Sequence, residues 1–388
     1  MIDMLRDYTG VDTMEVFRGL AAGPSDAVRA GTGELVLLRY ADVRTSLPAV
    51  ELTTQRPRRD VLALATLPDG SREIQTVMKA HYVRWPLFSD GDYHTRLRRH
   101  LVRSTSDVTD AVGAAALKHV VAVRRETGGN SFSWLEQVAE PIAAGLVARL
   151  LGVPADVATE LIGWAQVIVR ELTWPVMDDA RAADVVRAQR ALGDWLAGAL
   201  PAASGATRYL RAVHAIADDP ALGFESAVAT LAQTVSGAYD PLVSVITTLA
   251  TTVTPEVLAT LPPATVAEEV LRVATPFRFS RRFTTVHTRL AGEFVPPDCR
   301  IFLALAAANL DPQAFPCPIS MAQRRTPHVS FGLGRHYCVG AEAVRSCLAG
   351  VVRGLASVRA TFTADRVRHA PELSILRFVA ADGHWRPH

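Results

Sequence analysis

The sequence predicts a mainly α-helical protein with small β-sheets. Between about residues 103 and 252, long Ala/Leu/Val/Arg segments recur at helical spacing, broken at 128–130, 152–154 and 202–205. Short β-type runs fall toward the two ends of the chain, at 35–40 (LVLLRY), 281–287, 300–303 and 373–379. No repeat, low-complexity tract or Pro/Ser linker divides the sequence. Residues 1–388 therefore read as one domain, although a length rule of about 150 residues per domain suggests two or three. Pro312, Pro316, Pro318 and Pro327 exclude regular helix before Phe331 and predict an ordered, irregular meander there.

Composition narrows the function classes. Lys plus Arg number 41 against 39 Asp plus Glu, a net charge of +2, which argues against a basic nucleic-acid binder. With 49% hydrophobic and 21% charged residues the chain can build a large core and carries too few charges for disorder. Only Lys79 and Lys118 are lysines, so almost all positive charge is arginine. No segment has the roughly 18 uninterrupted apolar residues of a membrane span. The start, MIDMLRDYTGVDTMEVF, mixes acids with apolar residues unlike a secretory signal. The expectation is a cytoplasmic protein with neither membrane nor nucleic acid as partner. Cys299, Cys317, Cys338 and Cys347 form no C-x-x-C pair, so zinc fingers and disulfide frameworks are not indicated.

The strongest local signal is residues 331–340, FGLGRHYCVG, followed by the helical pattern AEAVRSCLAGVVRGLASV. Gly332, Gly334 and Gly340 permit positive φ or close backbone approach. Cys338 stands at a loop-to-helix junction, where the first-turn N–H groups of a helix favour a thiolate. A lone cysteine is more often a small buried hydrophobe. The glycines, aromatic, histidine and helix start around this one set it apart.

This loop resembles the haem-binding signature of the cytochrome P450 family, F-G-x-G-x-H/R-x-C-x-G. Phe331, Gly332, Gly334, His336, Cys338 and Gly340 occupy every fixed position. The resemblance implies the cytochrome P450 fold, with heme b (iron protoporphyrin IX) between a long distal helix and a proximal cysteine loop and helix. It makes Cys338 the proximal thiolate ligand of the iron and gives His336 a haem propionate. Other family landmarks follow in order. Glu269-Val270-Leu271-Arg272 matches the E-x-x-R helix, whose pair shares one face. Asp92-Tyr93-His94-Thr95-Arg96-Leu97-Arg98 is similar to D-P-P-E-H-T-R-L-R, with Gly91 and Asp92 in the proline positions and Tyr93 in place of glutamate. It assigns His94 and Arg98 to propionates. Arg96, Arg99 and Arg103 read either as a basic face in water or as a dock for an acidic electron donor. Arg282 aligns with a further propionate-binding arginine, with Arg281 as competitor. Residues 306–318, AAANLDPQAFPCP, resemble the family meander, with Leu310 and Cys317 as substitutions, and 150–154 (LLGVP) fit a family turn.

Two departures stand out. After Cys317-Pro318 the basic residue that normally completes a triad with the E-x-x-R pair is absent, leaving Arg324 or Arg325 as substitutes or the triad incomplete. On the distal helix, placed at about 224–252, the family's acid–alcohol pair is altered. In one register Asp240 holds the acid position and Pro241 replaces threonine. In a register slipped by one, with Ser236-Gly237 as the small pair, Tyr239 falls at the acid and Asp240 at the alcohol. Pro241 frees the Gly237 carbonyl and predicts a kink. It would open the groove that threonine normally opens, while protons come from Asp240, water or the substrate.

The function implied is oxidation of a small organic molecule of specialised metabolism, by hydroxylation or radical coupling. Electrons would come from ferredoxin and ferredoxin reductase and the oxidant would be dioxygen. A peroxide-dependent variant and a haem-binding protein without turnover are the alternatives. Asp240 has the wrong charge for the carboxylate-binding arginine of peroxide-using members. Residues 57–85, 168–176 and 276–280 are the candidate pocket segments, with Trp174 and Met177 among the lining candidates. Tyr239 is the specific candidate for a substrate contact.

Overall fold

The computed structural model describes residues 13–29, 33–55, 83–173, 179–199, 206–316 and 326–388. Cys317, Pro318, Arg324, Arg325, Trp174 and Met177 lie outside the described residues, as do positions 57–82 of the first candidate pocket segment. The chain divides into two compact units. One comprises Met1–Leu52, Thr109–Ala143 and Asp240–His388, the other Thr53–Val108 and Ala144–Tyr239.

The strands belong to the first unit. They are β1 (Ala27–Arg29), β2 (Leu35–Leu37), β3 (Leu52–Thr53, where the unit ends), β4 (Phe132–Ser133), β5 (Ser280–Thr284), β6 (Thr288–Leu290), β7 (Glu293–Val295), β8 (Arg300–Leu303), β9 (Ala360–His369) and β10 (Phe378–Pro387). The largest sheet has the order β1-β2-β8-β5-β3. The β2–β8 pair is parallel, with Leu35 opposite Ile301 and Leu37 opposite Leu303, so apolar residues alternate across both strands. Leu35, Leu37, Ile301 and Leu303 join Tyr40, Phe315 and Val329 in one core, while Val36 and Leu38 meet Phe17, Ala304 and Ala307 in another. The sheet is therefore buried on both faces.

Two sequence expectations are corrected here. The C-terminal strand begins at Phe378, not near Leu373; residues 373–377 contribute only an isolated bridge between Phe277 and Ile375. Its partner, β9, was not anticipated, because the charged run Asp365–Arg368 hides a strand pattern whose outward residues are exposed. The central run of long helices also begins at Thr109 rather than Arg103, residues 102–108 forming turns after the helix Gly91–Leu101.

The helix Ala341–Val358, which follows Cys338, is seated by glycine. A Cβ at Gly350 would lie 2.1 Å from the Gly113 carbonyl oxygen and one at Gly354 2.8 Å from Val120 Cβ, so helix Thr109–Thr127 packs backbone to backbone against it. The long helix Gly223–Thr252 runs through Pro241 without interruption of its helical assignment. From Ser226 to Ala250 it is buried except at Gln233, Thr234 and the consecutive residues Gly237–Pro241, and a Cβ at Gly237 meets no heavy atom within 4 Å.

These two glycine environments give opposite expectations. Gly350→Ala forces backbone apart and should cost about 3 kcal/mol or more. Gly237→Ala should leave the melting temperature unchanged or raise it, since alanine is the better helix former by up to about 1 kcal/mol. Thermal melts of the two variants check this.

Candidate functional site

The cysteine loop is shaped by its backbone. Gly332 and Gly334 each have φ of 68°, in the left-handed region that favours glycine. A Cβ at Gly334 would also stand 2.9 Å from Pro48 Cβ. Cys338 N–H donates to the Phe331 carbonyl at 3.0 Å and Tyr337 N–H to that of Gly334 at 3.1 Å, closing the loop on itself. Arg335 anchors it from outside, donating to the carbonyls of Pro48, Ala49 and Leu52. The sulfur of Cys338 is half-buried, in no disulfide, and sits just before the helix that Gly340 introduces.

Below the loop lies the Glu269–Arg272 pair on helix Pro263–Ala274. Arg272 donates through Nε at 3.0 Å and through a terminal nitrogen at 2.6 Å, and the two side chains are 6% and 2% exposed. This is a bidentate pair in a buried setting, the strong form of an ion pair. Arg272 also donates to the Asn309 carbonyl and has its guanidinium carbon 4.8 Å from the Phe315 ring centre.

Asn309 itself joins three segments. Its Nδ2 donates to Thr275 Oγ1 at 2.8 Å and Ser330 Oγ at 2.9 Å, while Oδ1 accepts from Val329 N–H at 2.9 Å. Ser330 Oγ in turn donates to the Leu271 carbonyl at 2.8 Å. The start of the cysteine loop is thereby fastened to the end of the E-x-x-R helix. Asn309 was quoted in the sequence as part of the meander, but nothing local announces this role.

A second set of contacts holds the other side of the loop and was missed from sequence. Arg345, one turn into the following helix, donates to Glu268 at 2.6 Å, Glu342 at 2.7 Å and the Tyr337 hydroxyl at 3.0 Å, and stacks 4.8 Å from the Phe331 ring centre. His328 Nε2 lies 3.3 Å from the second Glu268 oxygen. Burial opposes ionisation of Glu268, but His328 and Arg345 outweigh it and hold its carboxyl down at about 2.

Arg282, on β5, is 2% exposed and donates to Ser280 Oγ at 2.6 Å and the Arg281 carbonyl at 2.9 Å. Asp240 and Pro241 open the first unit's share of the long helix. Ser244 Oγ donates to the Asp240 carbonyl at 2.9 Å and also to that of Leu376. Glu140 has its carboxyl raised by burial first and then by the like charges of Glu136 and Asp240. The two carboxylates Asp240 and Glu140 thus feel one another within this unit.

In the second unit, His94 (3% exposed) and half-buried Arg98 stand one turn apart on helix Gly91–Leu101, which starts at Gly91 with φ of 67°. Tyr93, in the glutamate's place, donates to the Arg84 carbonyl at 3.0 Å and to Ser226 Oγ at 2.9 Å, and burial raises its pKa. Arg96 is not available to a partner as the sequence reading allowed. It is committed to Asp219 through contacts of 2.6 and 2.8 Å, and His100 Nε2 lies 3.2 Å from the same carboxylate. Tyr239 and Gly237, at the end of this unit's share of the long helix, belong to its accessible stretch.

No protein-family profile matches the chain. Over 81 residues it is 41% identical to Cytochrome P450 144 of Mycobacterium tuberculosis, a match that spans 20% of this chain and only 19% of that relative's length. Erythromycin C-12 hydroxylase of Saccharopolyspora erythraea is 26% identical over 324 residues, covering 80% of this chain and 78% of that one. The solved structure of CalO2 superposes with a TM-score of 0.83 and 20% identity over 99% of both chains. The chain has the fold of the cytochrome P450s, and its cysteine loop carries their pattern. The family implies a haem, and the residues present fit one. An uncrosslinked sulfur lies on a loop turned by Gly332 and Gly334 at positive φ, and the same unit supplies the buried cation Arg282 and the ring of His336. That donor set suits an iron porphyrin with two carboxylates. No single helix among the described residues is long and apolar enough to cross a membrane.

Two variants test the loop's supports. Asn309→Ala leaves buried partners unsatisfied at both the loop and the helix end and should lower stability by about 2–4 kcal/mol in chemical denaturation. Glu268 has a folded pKa below its unfolded one. Its stabilisation is therefore complete above about pH 4.3 and fades as pH falls toward the folded value. Glu268→Gln should be less stable than the parent at neutral pH, and the two melting curves should converge as pH approaches 2.

Proposed function

We propose that this chain is a haem-thiolate oxidoreductase that oxidises a small organic molecule of specialised metabolism, with heme b as its cofactor. The observation that carries this reading is the cysteine loop, a half-buried, uncrosslinked sulfur on a glycine-shaped turn at a helix start. Its resemblance to natural-product oxidases, a hydroxylase of erythromycin among them, supports the substrate class. Bound haem would supply reductive activation of dioxygen beside the substrate. In hydroxylation, R–H, O2, two electrons and two protons give R–OH and water. In coupling, two substrate hydrogens are removed instead, the new bond forms between the two carbon or heteroatom centres, and both oxygen atoms leave as water.

The chain's own residues divide the remaining work. Cys338 holds the metal as thiolate, favoured by the helix start behind it. Phe331, Gly332 and Gly340 shape the loop around the sulfur. Arg282 and His336 hold propionates, and the family pattern gives His94 and Arg98 the same task. The Glu269–Arg272 pair is structural and keeps the loop's base in place. Asp240 carries the proton for oxygen reduction, and its neighbour Glu140, whose carboxyl is raised, can hold one at neutral pH more readily than an ordinary glutamate. Pro241 has no N–H to give to the Gly237 carbonyl, which leaves that oxygen as a hydrogen-bond acceptor at the accessible stretch. Tyr239 contacts the substrate. Ferredoxin and ferredoxin reductase supply the electrons in the cytoplasm.

The missing alcohol at Pro241 favours coupling over hydroxylation, because water or substrate must then complete the proton supply. Reconstitution with a surrogate ferredoxin, its reductase and a metabolite panel tests the reading. Product formation that depends on both dioxygen and the electron donor is expected; haem binding without turnover under any of these conditions would leave a binder. Pro241→Thr should raise product formed per electron consumed at least about twofold, since a positioned proton-transfer group is typically worth roughly 10²–10⁴ in rate. An unchanged ratio removes the altered-relay argument.

A further inference from the structure

An open cleft of about 550 Å³ lies wholly within the second unit, between the end of helix Gly91–Leu101 with its following turn and the helix Arg208–Asp218. Arg99, Arg103, Arg208 and Arg211 line it together with His100, and the lining contains no aspartate or glutamate. In a chain whose net charge is only +2, four guanidiniums on one acid-free concavity are a local field without internal compensation.

The nearby acids are already engaged. Asp219 is held by Arg96 and His100, and the Arg96 hydrogen bond pushes its carboxyl far below the usual carboxylate range. Asp107 accepts the Arg208 backbone N–H at 2.9 Å, so it caps the helix start rather than reaching a guanidinium. Among the described residues none of the four arginines forms an ion pair; the Arg211 guanidinium donates to the Ala206 carbonyl. Arg103 is held at φ of 60° by its carbonyl, which accepts from Ser106 N–H and Oγ at 3.2 and 2.8 Å. Ser104 on the lining is 4% exposed, and its hydroxyl has no hydrogen-bond partner among the described residues. Buried hydroxyls without partners are rare in native proteins.

We propose that this cleft binds a small polyanion of the diphosphate class, free or carried on a larger molecule. The concavity is shallow and open to solvent, so charge rather than enclosure holds the ligand. Forked guanidiniums from the two helices and from the turn at Arg103 match the paired oxygens of two phosphate groups. The site is independent of the haem reading.

The test is calorimetric titration of the haem-loaded full chain with inorganic pyrophosphate, against a chloride control of equal ionic strength. Saturable 1:1 binding is expected, weakened at least about tenfold in an Arg103→Gln/Arg208→Gln double variant. Those side chains hold nothing else in the fold, so the variant's melting temperature should match the parent's without ligand. Binding no stronger than the chloride control, or equal affinity in the double variant, overturns the proposal. So does a double variant that binds pyrophosphate normally and loses only ferredoxin-driven reduction, which would make the cleft a protein dock.

Discussion

Asn309 is the joint on which the candidate site depends. One buried side-chain amide, 0% exposed, uses two donors and an acceptor on Thr275, Ser330 and Val329, and its own carbonyl takes a further bond from Arg272. In a low-dielectric interior such bonds are worth most when every member is satisfied, and the cost of breaking one falls on all its partners. The arrangement transmits the rigidity of the buried Glu269–Arg272 pair to the base of the cysteine loop. The ion pair contributes little to stability as a charge pair, since desolvation offsets attraction. Its use here is to fix where Arg272 points.

The upper half of the loop is held differently, by Arg345 at once on Glu268, Glu342, Tyr337 and the face of Phe331. Two residues of the loop that precede the sulfur, Phe331 and Tyr337, are therefore tied to one guanidinium on the helix behind it. Only arginine can do this, because its planar fork serves carboxylates and hydroxyl in the plane while the aromatic ring stacks on its face. The fold thus supports Cys338 from below through an amide and from behind through a cation, and leaves the sulfur itself without a crosslink.

Much of this was legible in the sequence for a physical reason. A cysteine loop needs glycine at fixed positions because the backbone there takes positive φ, so Gly332 and Gly334 announce it within ten residues. The E-x-x-R pair is likewise local, three residues apart on one helical face. What sequence could not show were partners brought together over long separations: Arg345 with Glu268, Asn309 with Val329, Arg96 with Asp219. Those residues look like ordinary solvated charges or amides until the chain folds. Strand β9 was invisible for a related reason, its exposed face being a charged run that mimics a loop. The sequence argues for a kink at Pro241; the helix continues through that residue, and residues 237–241 are its longest accessible stretch between Ser226 and Ala250.

The central claim is that Cys338 would supply the thiolate that holds the haem iron. The measurement that tests it most directly is the carbon monoxide difference spectrum of the reduced, haem-loaded protein beside that of Cys338→Ala. The account predicts the strongly red-shifted Soret band of thiolate ligation in the parent and its complete loss in the variant. A parent spectrum of the imidazole-ligated kind, or a red-shifted band that survives without the sulfur, contradicts it.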